Sequence, residues 1–238
     1  YAMSSLLAAQ SGGADVLALC DTNGGTLPSE LGPIMTAVLQ RVKVPLGIHT
    51  HNDAGMAVAN TILAVKRGIS MVQGTINGYG ERCGNADLTS IIPILCLKMN
   101  RPVVTADQLK QLRKLSRFVS ETANLVPNNS RPFVGKSAFA HKGGVHVAAV
   151  RKVERAYEHI DPATVGNSRR VLISDLSGKS NIEYKAAEMG VELGGNGFSS
   201  QQIVTKIKAL EEDGYQFDVA DGSFKLLVER LTKQYAPL

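Results

Sequence analysis

The sequence predicts an α/β fold with a parallel sheet over its first hundred residues, and three observations carry that prediction. Short apolar runs recur about every 30 residues, the length of one strand-plus-helix unit. Each run is followed by a turn and then by a stretch with helical periodicity. The unusual polar residues (Asp21, His49, His51, Thr75 and Asn85) fall at or just beyond the ends of those runs. Both parallel α/β architectures, the TIM barrel and the doubly wound sheet, place their sites on that face.

The elements follow in order. Residues 1–10 are rich in Ala, Leu, Met and Ser and read as the end of a helix, closed by Ser11, Gly12 and Gly13. Residues 15–20 (DVLALC) make an apolar run of strand length, as expected of a strand covered on both faces. Residues 21–26 (DTNGGT) turn the chain, and Pro28 suits the first turn of a helix that extends to Arg41. Residues 44–49 (VPLGIH) are the second strand, 54–67 a helix of small residues stopped by Gly68, and 69–74 the third strand. A Gly-rich loop, 77–84 (NGYGERCG), leads into a helix over 85–98. The pattern changes after Asn100. Residues 105–124 read as one long helix, with Thr105 as N-cap and Leu109, Leu112, Leu115 and Val119 as its apolar stripe. Residues 126–133 read as a linker, 135–150 as a loop rich in Gly, Ala and His, and 171–173 as a short apolar run. Residues 201–212 and 222–235 read as two helices broken at Asp213 and Gly214. The resulting division is 1–100 for the βα units, 101–134 for a helix and linker, 135–185 for a linker subdomain, and 186–238 for a helical segment.

Composition narrows the function class. The 238 residues hold 26 Lys and Arg against 21 Asp and Glu, a net charge of +5, with 44% hydrophobic and 20% charged residues. These values exclude a disordered chain, a collagen and a disulfide scaffold. No apolar run reaches the ~18–20 residues of a membrane helix. Aromatics are 5% and Trp is absent, which speaks against a base-stacking module or a sugar cleft. Without a Lys/Arg block the mild positive charge suits an anionic small ligand and no nucleic acid. Cys20, Cys83 and Cys96 form no CxxC pair and read as reduced, half-buried thiols of a cytoplasmic protein.

The strongest chemical signal is IHTHND, residues 48–53. Residues two apart in a strand face one side, so His49 and His51 project together at a strand end. Two such imidazoles start a site for Zn²⁺, Mn²⁺ or a similar cation, which also needs a third ligand, an oxygen; the alternative is a pair of hydrogen-bonded loop histidines. The second signal is 74–87 (GTINGYGERCGNAD), whose glycines permit close backbone approach. The third is 137–150 (SAFAHKGGVHVAAV), where His141 or His146 could serve as an acid or base, or lie as ordinary loop histidines.

Taken together, LCDTNGGTLP (19–28), GIHTHND (47–53) and QGTINGYGERCGNA (73–86) resemble the last three strands of the Claisen-condensing TIM barrels. These comprise 2-isopropylmalate, homocitrate and citramalate synthases. The downstream runs 135–150, 157–182 and 214–224 are most similar to the (R)-citramalate synthases. The resemblance implies the last three βα units of an incomplete TIM barrel, followed by a mainly helical linker region. It implies an acyltransferase that joins acetyl-CoA and pyruvate to give citramalate and CoA on the way to isoleucine. A divalent cation (Mn, Zn, Mg or Co) would sit on His49, His51 and Asn85, with the 2-oxo acid beside Thr22, Gly84 and Asn85. His146 and Tyr157 would act in the active site of the partner subunit of a homodimer, which makes 135–185 an intersubunit segment. Asp87 departs from the neutral residue the family favours there. The family's opening strand supplies a further acidic ligand and an Arg on a motif that these residues do not contain. With Tyr1 inside a helical pattern, the expectation is a fragment, inactive alone, that precedes a regulatory domain. The alternatives are a 2-isopropylmalate or homocitrate synthase acting on a larger 2-oxo acid, and a non-catalytic dimerising fragment.

Overall fold

The computed structural model describes residues 1–153, 156–193, 199–232 and 234. The chain divides into two compact units, Tyr1–Gly135 with Thr164–Gly166, and Lys136–Ala163 with Asn167–Leu238.

In the first unit, helix α1 (Ala2–Ser11) precedes strand β1 (Leu17–Asp21), helix α2 (Pro28–Arg41), strand β2 (Leu46–Thr50), helix α3 (Ala57–Lys66) and strand β3 (Met71–Gln73). The strands form one parallel sheet in the order β1-β2-β3. Leu17 stands opposite Leu46 and Asp21 opposite Thr50, while His49 faces Gln73 across the next ladder. Parallel strands need a helical crossover, and the sequence supplies one after each strand. Pro28 opens α2, and the Glu30 carboxylate accepts the Leu27 N–H at 2.9 Å, satisfying a helix-end donor. Leu17, Leu31, Met35, Val38, Leu46, Ile48 and Ile69 close into one apolar cluster beneath these elements. Thr50 and Thr61 lie fully buried. Both hydroxyls reach the Ala57 carbonyl, at 3.1 and 2.8 Å, and so lock β2 to α3.

Helix α4 (Leu88–Pro93) starts three residues later than the pattern suggested, and a π-turn (Ile94–Lys98) continues it. The delay has a cause: Asn85 pairs with His51 and Asp87 with Thr75 in isolated bridges, so 85–87 extend the sheet. The expected helix over 105–124 is two, α5 (Ala106–Leu109) and α6 (Leu112–Thr122). Thr105 caps α5 as expected, accepting the Gln108 N–H at 3.2 Å. Gly166, with φ +71°, packs on the Lys110 carbonyl at the break between them. Cys20 and Cys83 are exposed and Cys96 is half-buried, so only Cys96 matches its expected burial. Cys20 lies on β1, one of the two edge strands of the sheet among the described residues, and is open to solvent.

The second unit pairs strand β4 (Ala140–His141) with strand β5 (Arg170–Val171) in parallel. The expected loop over 135–150 instead contains the start of helix α7 (Gly144–Lys152). Gly144 packs on Gly178, the cap of helix α8 (Lys179–Glu188). Helices α9 (Ser200–Glu212) and α10 (Asp221–Leu231) close a core of Ile173, Ile182, Ile203, Ile207, Phe224 and Val228 around α8. Asn181 has no exposed surface. Its amide donates to the Lys142 and Leu172 carbonyls at 2.8 and 3.1 Å. Among the described residues no helix is long and apolar enough to cross a membrane.

Phe224 is fully buried at the centre of this core. Phe224→Ala should cost about 3–5 kcal/mol, read as an earlier urea midpoint for the second unit; a loss below 1 kcal/mol would contradict the packing described.

Candidate functional site

The site is assembled at the C-terminal ends of the three strands. Register places Cys20 opposite His49 and Asp21 opposite Thr50, so the turns after β1 and β2 leave the sheet at the same level. The His51 N–H donates to the Asp21 carbonyl at 3.2 Å, and the Asn52 N–H to the Gly84 carbonyl at 2.9 Å. Backbone hydrogen bonds thereby stitch the three strand-end turns to one another. His49 and His51 do share one side, with ring centroids 5.2 Å apart and the planes at 75°.

Asn85 joins them through its bridge to His51. Its Nδ2 donates to the Tyr79 carbonyl at 3.2 Å, which fixes the orientation of the amide. The other amide atom, Asn85 Oδ1, is buried without a hydrogen-bond partner, and so is His51 Nδ1. Leaving a buried polar atom unsatisfied costs about 1–3 kcal/mol, and two such atoms on adjoining backbone could serve as ligands to a cation. Among the described residues no three His, Cys, Asp or Glu side chains come together to hold a metal; the set here is two imidazoles and an amide oxygen.

The loop that carries Asn85 is held from below. Asn77 is buried with φ +67°. Its Nδ2 donates to the Ser116 carbonyl at 2.8 Å and to Ser120 Oγ at 3.1 Å, and its Oδ1 accepts from Ser116 Oγ. Tyr79 Oη bonds Ser120 Oγ at 3.0 Å. Arg131 donates to the Asn77 carbonyl and to Asp87 Oδ2, and its guanidinium lies 5.7 Å from the centre of the Tyr79 ring. Asp87 also caps α4 by accepting from Thr89 N–H at 2.8 Å. The extra charge at Asp87 is therefore paired with Arg131 and committed to a helix end. Gly84 has φ +86° and lies against the Gly78 carbonyl, where a Cβ would overlap it, so only glycine fits beside Asn85.

Thr22 follows β1. Its carbonyl accepts from Arg82 Nη2 at 2.7 Å. The same guanidinium grips Asp53, Nε to Oδ1 at 2.8 Å and Nη2 to Oδ2 at 3.1 Å. These hydrogen bonds hold the Asp53 carboxyl below its ordinary pKa, and Asp53 raises that of Arg82 in return. Thr22, Asp53 and Arg82 line a cavity of about 1410 Å³ beside apolar Leu19, Ile34 and Val38, along the edge of β1. The histidines lie outside that cavity.

In the second unit, His146 and Tyr157 stack with ring centroids 4.4 Å apart, and both are exposed. His141 is buried instead: its Nε2 lies 3.0 Å from Glu158 Oε1. Arg169 closes on the same carboxylate with Nε at 2.7 Å and Nη2 at 2.6 Å. Burial alone would raise the Glu158 pKa, but the bonds from Arg169 and His141 outweigh it and hold the carboxyl low. His141 is thus a packing residue, and His146, in the first turn of α7 and not in a loop as expected, is the histidine exposed to solvent.

The structure brings His49, His51, Gly84, Asn85 and Thr22 to the strand ends of one unit and His146 and Tyr157 together in the other. Sequence reading missed Arg82, Asp53, Asn77 and Arg131 as supports. Opposite charges in the turns after neighbouring parallel strands signalled the first pair; Arg131, in a segment read as a linker, gave no local signal.

Residues 2–119 match the HMGL-like family model, and residues 133–215 the model for homocitrate synthase post-HMGL domains. The chain belongs to the HMGL-like family. It is 55% identical to an (R)-citramalate synthase of Geobacter sulfurreducens over 97% of this chain and 44% of that protein. It is 49% identical to an (R)-citramalate synthase of Aquifex aeolicus over 99% of this chain and 45% of that protein. A probable 2-isopropylmalate synthase of Methanopyrus kandleri is 36% identical over 90% of this chain and 42% of its own length. The chain spans about half the length of the curated relatives it matches. HMGL-like membership accords with the parallel sheet and its crossover helices.

Asn77→Ala loses several buried hydrogen bonds in a left-handed backbone and should destabilise the first unit by about 2–4 kcal/mol in urea melts. Glu158, with its folded pKa lowered, stabilises the second unit above its unfolded value of about 4.3, and that stability fades as pH falls through the folded value. Glu158→Gln should therefore flatten the acid limb of a stability-against-pH curve; an unchanged limb would show that Glu158 contributes nothing to it.

Proposed function

We propose that the protein carrying this chain joins acetyl-CoA to pyruvate, giving (R)-citramalate and free CoA, with His49, His51 and Asn85 holding a divalent cation. The observation that carries the reading is the pair of buried polar atoms, His51 Nδ1 and Asn85 Oδ1, without a hydrogen-bond partner among the described residues. Imidazole with an amide oxygen suits Zn²⁺, Mn²⁺ or Co²⁺, and an open site also admits Mg²⁺. Bound there, such an ion supplies Lewis acidity to the keto carbon of the 2-oxo acid. Identity of 55% and 49% with two (R)-citramalate synthases, against 36% with the probable 2-isopropylmalate synthase, favours pyruvate as that acid.

The chain's own residues then have these parts. Thr22 donates its hydroxyl to the substrate carboxylate at the mouth of β1. Gly84, packed against the Gly78 carbonyl where no side chain fits, lets the turn close so that Asn85 enters the site beside the 2-oxo acid. A base takes a proton from the acetyl methyl group, whose carbon bonds to the keto carbon as the C=O π pair moves to oxygen and is protonated; water then adds to the thioester carbonyl and the carbon–sulfur bond breaks, leaving a carboxylate and CoA as the thiol. His146, exposed and stacked on Tyr157, moves a proton at its ring nitrogen, in the site of the partner subunit of a homodimer. The net positive charge attracts the phosphates of coenzyme A.

The same reading covers the architecture and the compartment. A closed parallel barrel takes eight strands, and this sheet has three. Among the described residues strand β1 pairs only with β2, beside the cavity between α1 and α2. The three βα units are read as the last of such a barrel, in a cytoplasmic enzyme.

CoA release from acetyl-CoA tests the substrate. The protein should show at least about tenfold higher kcat/KM with pyruvate than with 2-oxoisovalerate, a difference that pocket contacts with one side chain supply. Preference for 2-oxoisovalerate would make it a 2-isopropylmalate synthase instead. His51→Ala should abolish Mn²⁺ binding in a titration while leaving the fold intact by circular dichroism.

A further inference from the structure

We propose that Arg82 is the positioning residue of the strand-end site, a fork that fixes three turns at once so that Thr22 and Asn85 face one ligand. The inference rests on reading His49, His51 and Asn85 as cation ligands.

Each of the three strand-end turns presents one group to Arg82 or is Arg82's own. The turn after β1 offers the Thr22 carbonyl, 2.7 Å from Nη2. The turn after β2 offers the Asp53 carboxylate, which takes Nε at 2.8 Å and Nη2 at 3.1 Å. The turn after β3 supplies Arg82 itself, in a left-handed conformation at φ +55°. That conformation belongs to a tight turn in which the Gly84 N–H returns to the Glu81 carbonyl at 2.9 Å. The turn sends the Arg82 side chain back across the neighbouring loops, and three residues later Asn85 enters the site. A left-handed backbone at a non-glycine residue is uncommon and costs free energy, so it persists where surrounding contacts hold it.

The grip is also held from the far side. Gly24 has φ +69° and packs against Asp53 so closely that a Cβ would run into the carboxylate. The Ala54 N–H donates to the Gly24 carbonyl at 2.9 Å. Asp53 therefore has little freedom apart from facing Arg82. Half-exposed ion pairs of this kind contribute little to global stability. What a planar fork with several fixed donors contributes is geometry, which a point charge on a flexible stem does not reproduce.

Charge and positioning act on cation affinity with opposite sign. Arg82 is a positive charge near a proposed cation site, so removing it as a charge should tighten cation binding. Removing it as a positioning residue should weaken binding, because Asn85 Oδ1 is no longer held beside His51. Supports of metal ligands typically change affinity by about 10–100-fold when lost.

The test uses this chain, with Mn²⁺ as the probe read by electron paramagnetic resonance. Arg82→Ala is expected to raise the Mn²⁺ Kd at least about tenfold. Millimolar guanidinium should restore affinity where ammonium does not. In the metal-free chain, amide exchange should quicken at 22–25 and 52–55 and stay slow in β1 and β2. Arg82→Lys, which keeps the charge and stem without the fork, is the second variant and should weaken binding in the same direction. Wild-type or tighter Mn²⁺ affinity in both variants, with binding lost in His51→Ala, overturns the positioning role and leaves the cation site standing. Failure of the wild-type chain to bind Mn²⁺, or equal binding by His51→Ala, overturns the cation site and this inference with it.

Discussion

The parallel ladder between β1 and β2 is the constraint on which the rest of the first unit depends. It brings Asp21 level with Thr50, so that two turns from distant parts of the sequence leave the sheet side by side. A slip of one residue would reverse which side chains face each side of the sheet, carrying His49 and His51 away from Asn85 together. The apolar cluster beneath the sheet resists that slip, because Leu46 and Ile48 on β2 would change sides with the histidines. The geometry of the site is thus set by burial well removed from the polar atoms that make it up.

The second requirement is that the loop after β3 hold one shape while carrying a polar load. It contains two residues in left-handed backbone, Asn77 and Arg82, and is stabilised on both sides. Below, Asn77 and Tyr79 bond to Ser116 and Ser120 on α6. Above, Arg82 reaches Asp53 and Thr22. Between these anchors Asn85 keeps an oxygen free in a buried place. Such an arrangement withstands the cost of an unsatisfied acceptor because its neighbours determine the backbone more than once.

The second unit organises its polar residues differently. The carboxylate of Glu158 is fully satisfied by Arg169 and His141, and Lys185 is buried between Glu188 and Asp221 at 2.9 and 3.0 Å. These groups rigidify and are closed to a ligand. His146 and Tyr157, next to that network in the chain, are left on the surface as a stacked pair.

The sequence by itself determined the alternation of strand and helix, the parallel sheet, the placement of chemistry at strand ends, and the pairing of His49 with His51. Those features follow from local periodicity and from the two-residue repeat of a strand, which need no knowledge of distant residues. It also carried the family, through three motifs whose spacing is part of the signal. Only the tertiary structure decided that 105–124 breaks into two helices, that α7 begins inside an apparent loop, and that His141 is buried while His146 is open. Only the folded chain, likewise, showed Asp87 neutralised by Arg131 and Arg82 spanning three turns. Each of these depends on a partner tens of residues away, and the side chains that make such contacts carry no periodic mark of where they end.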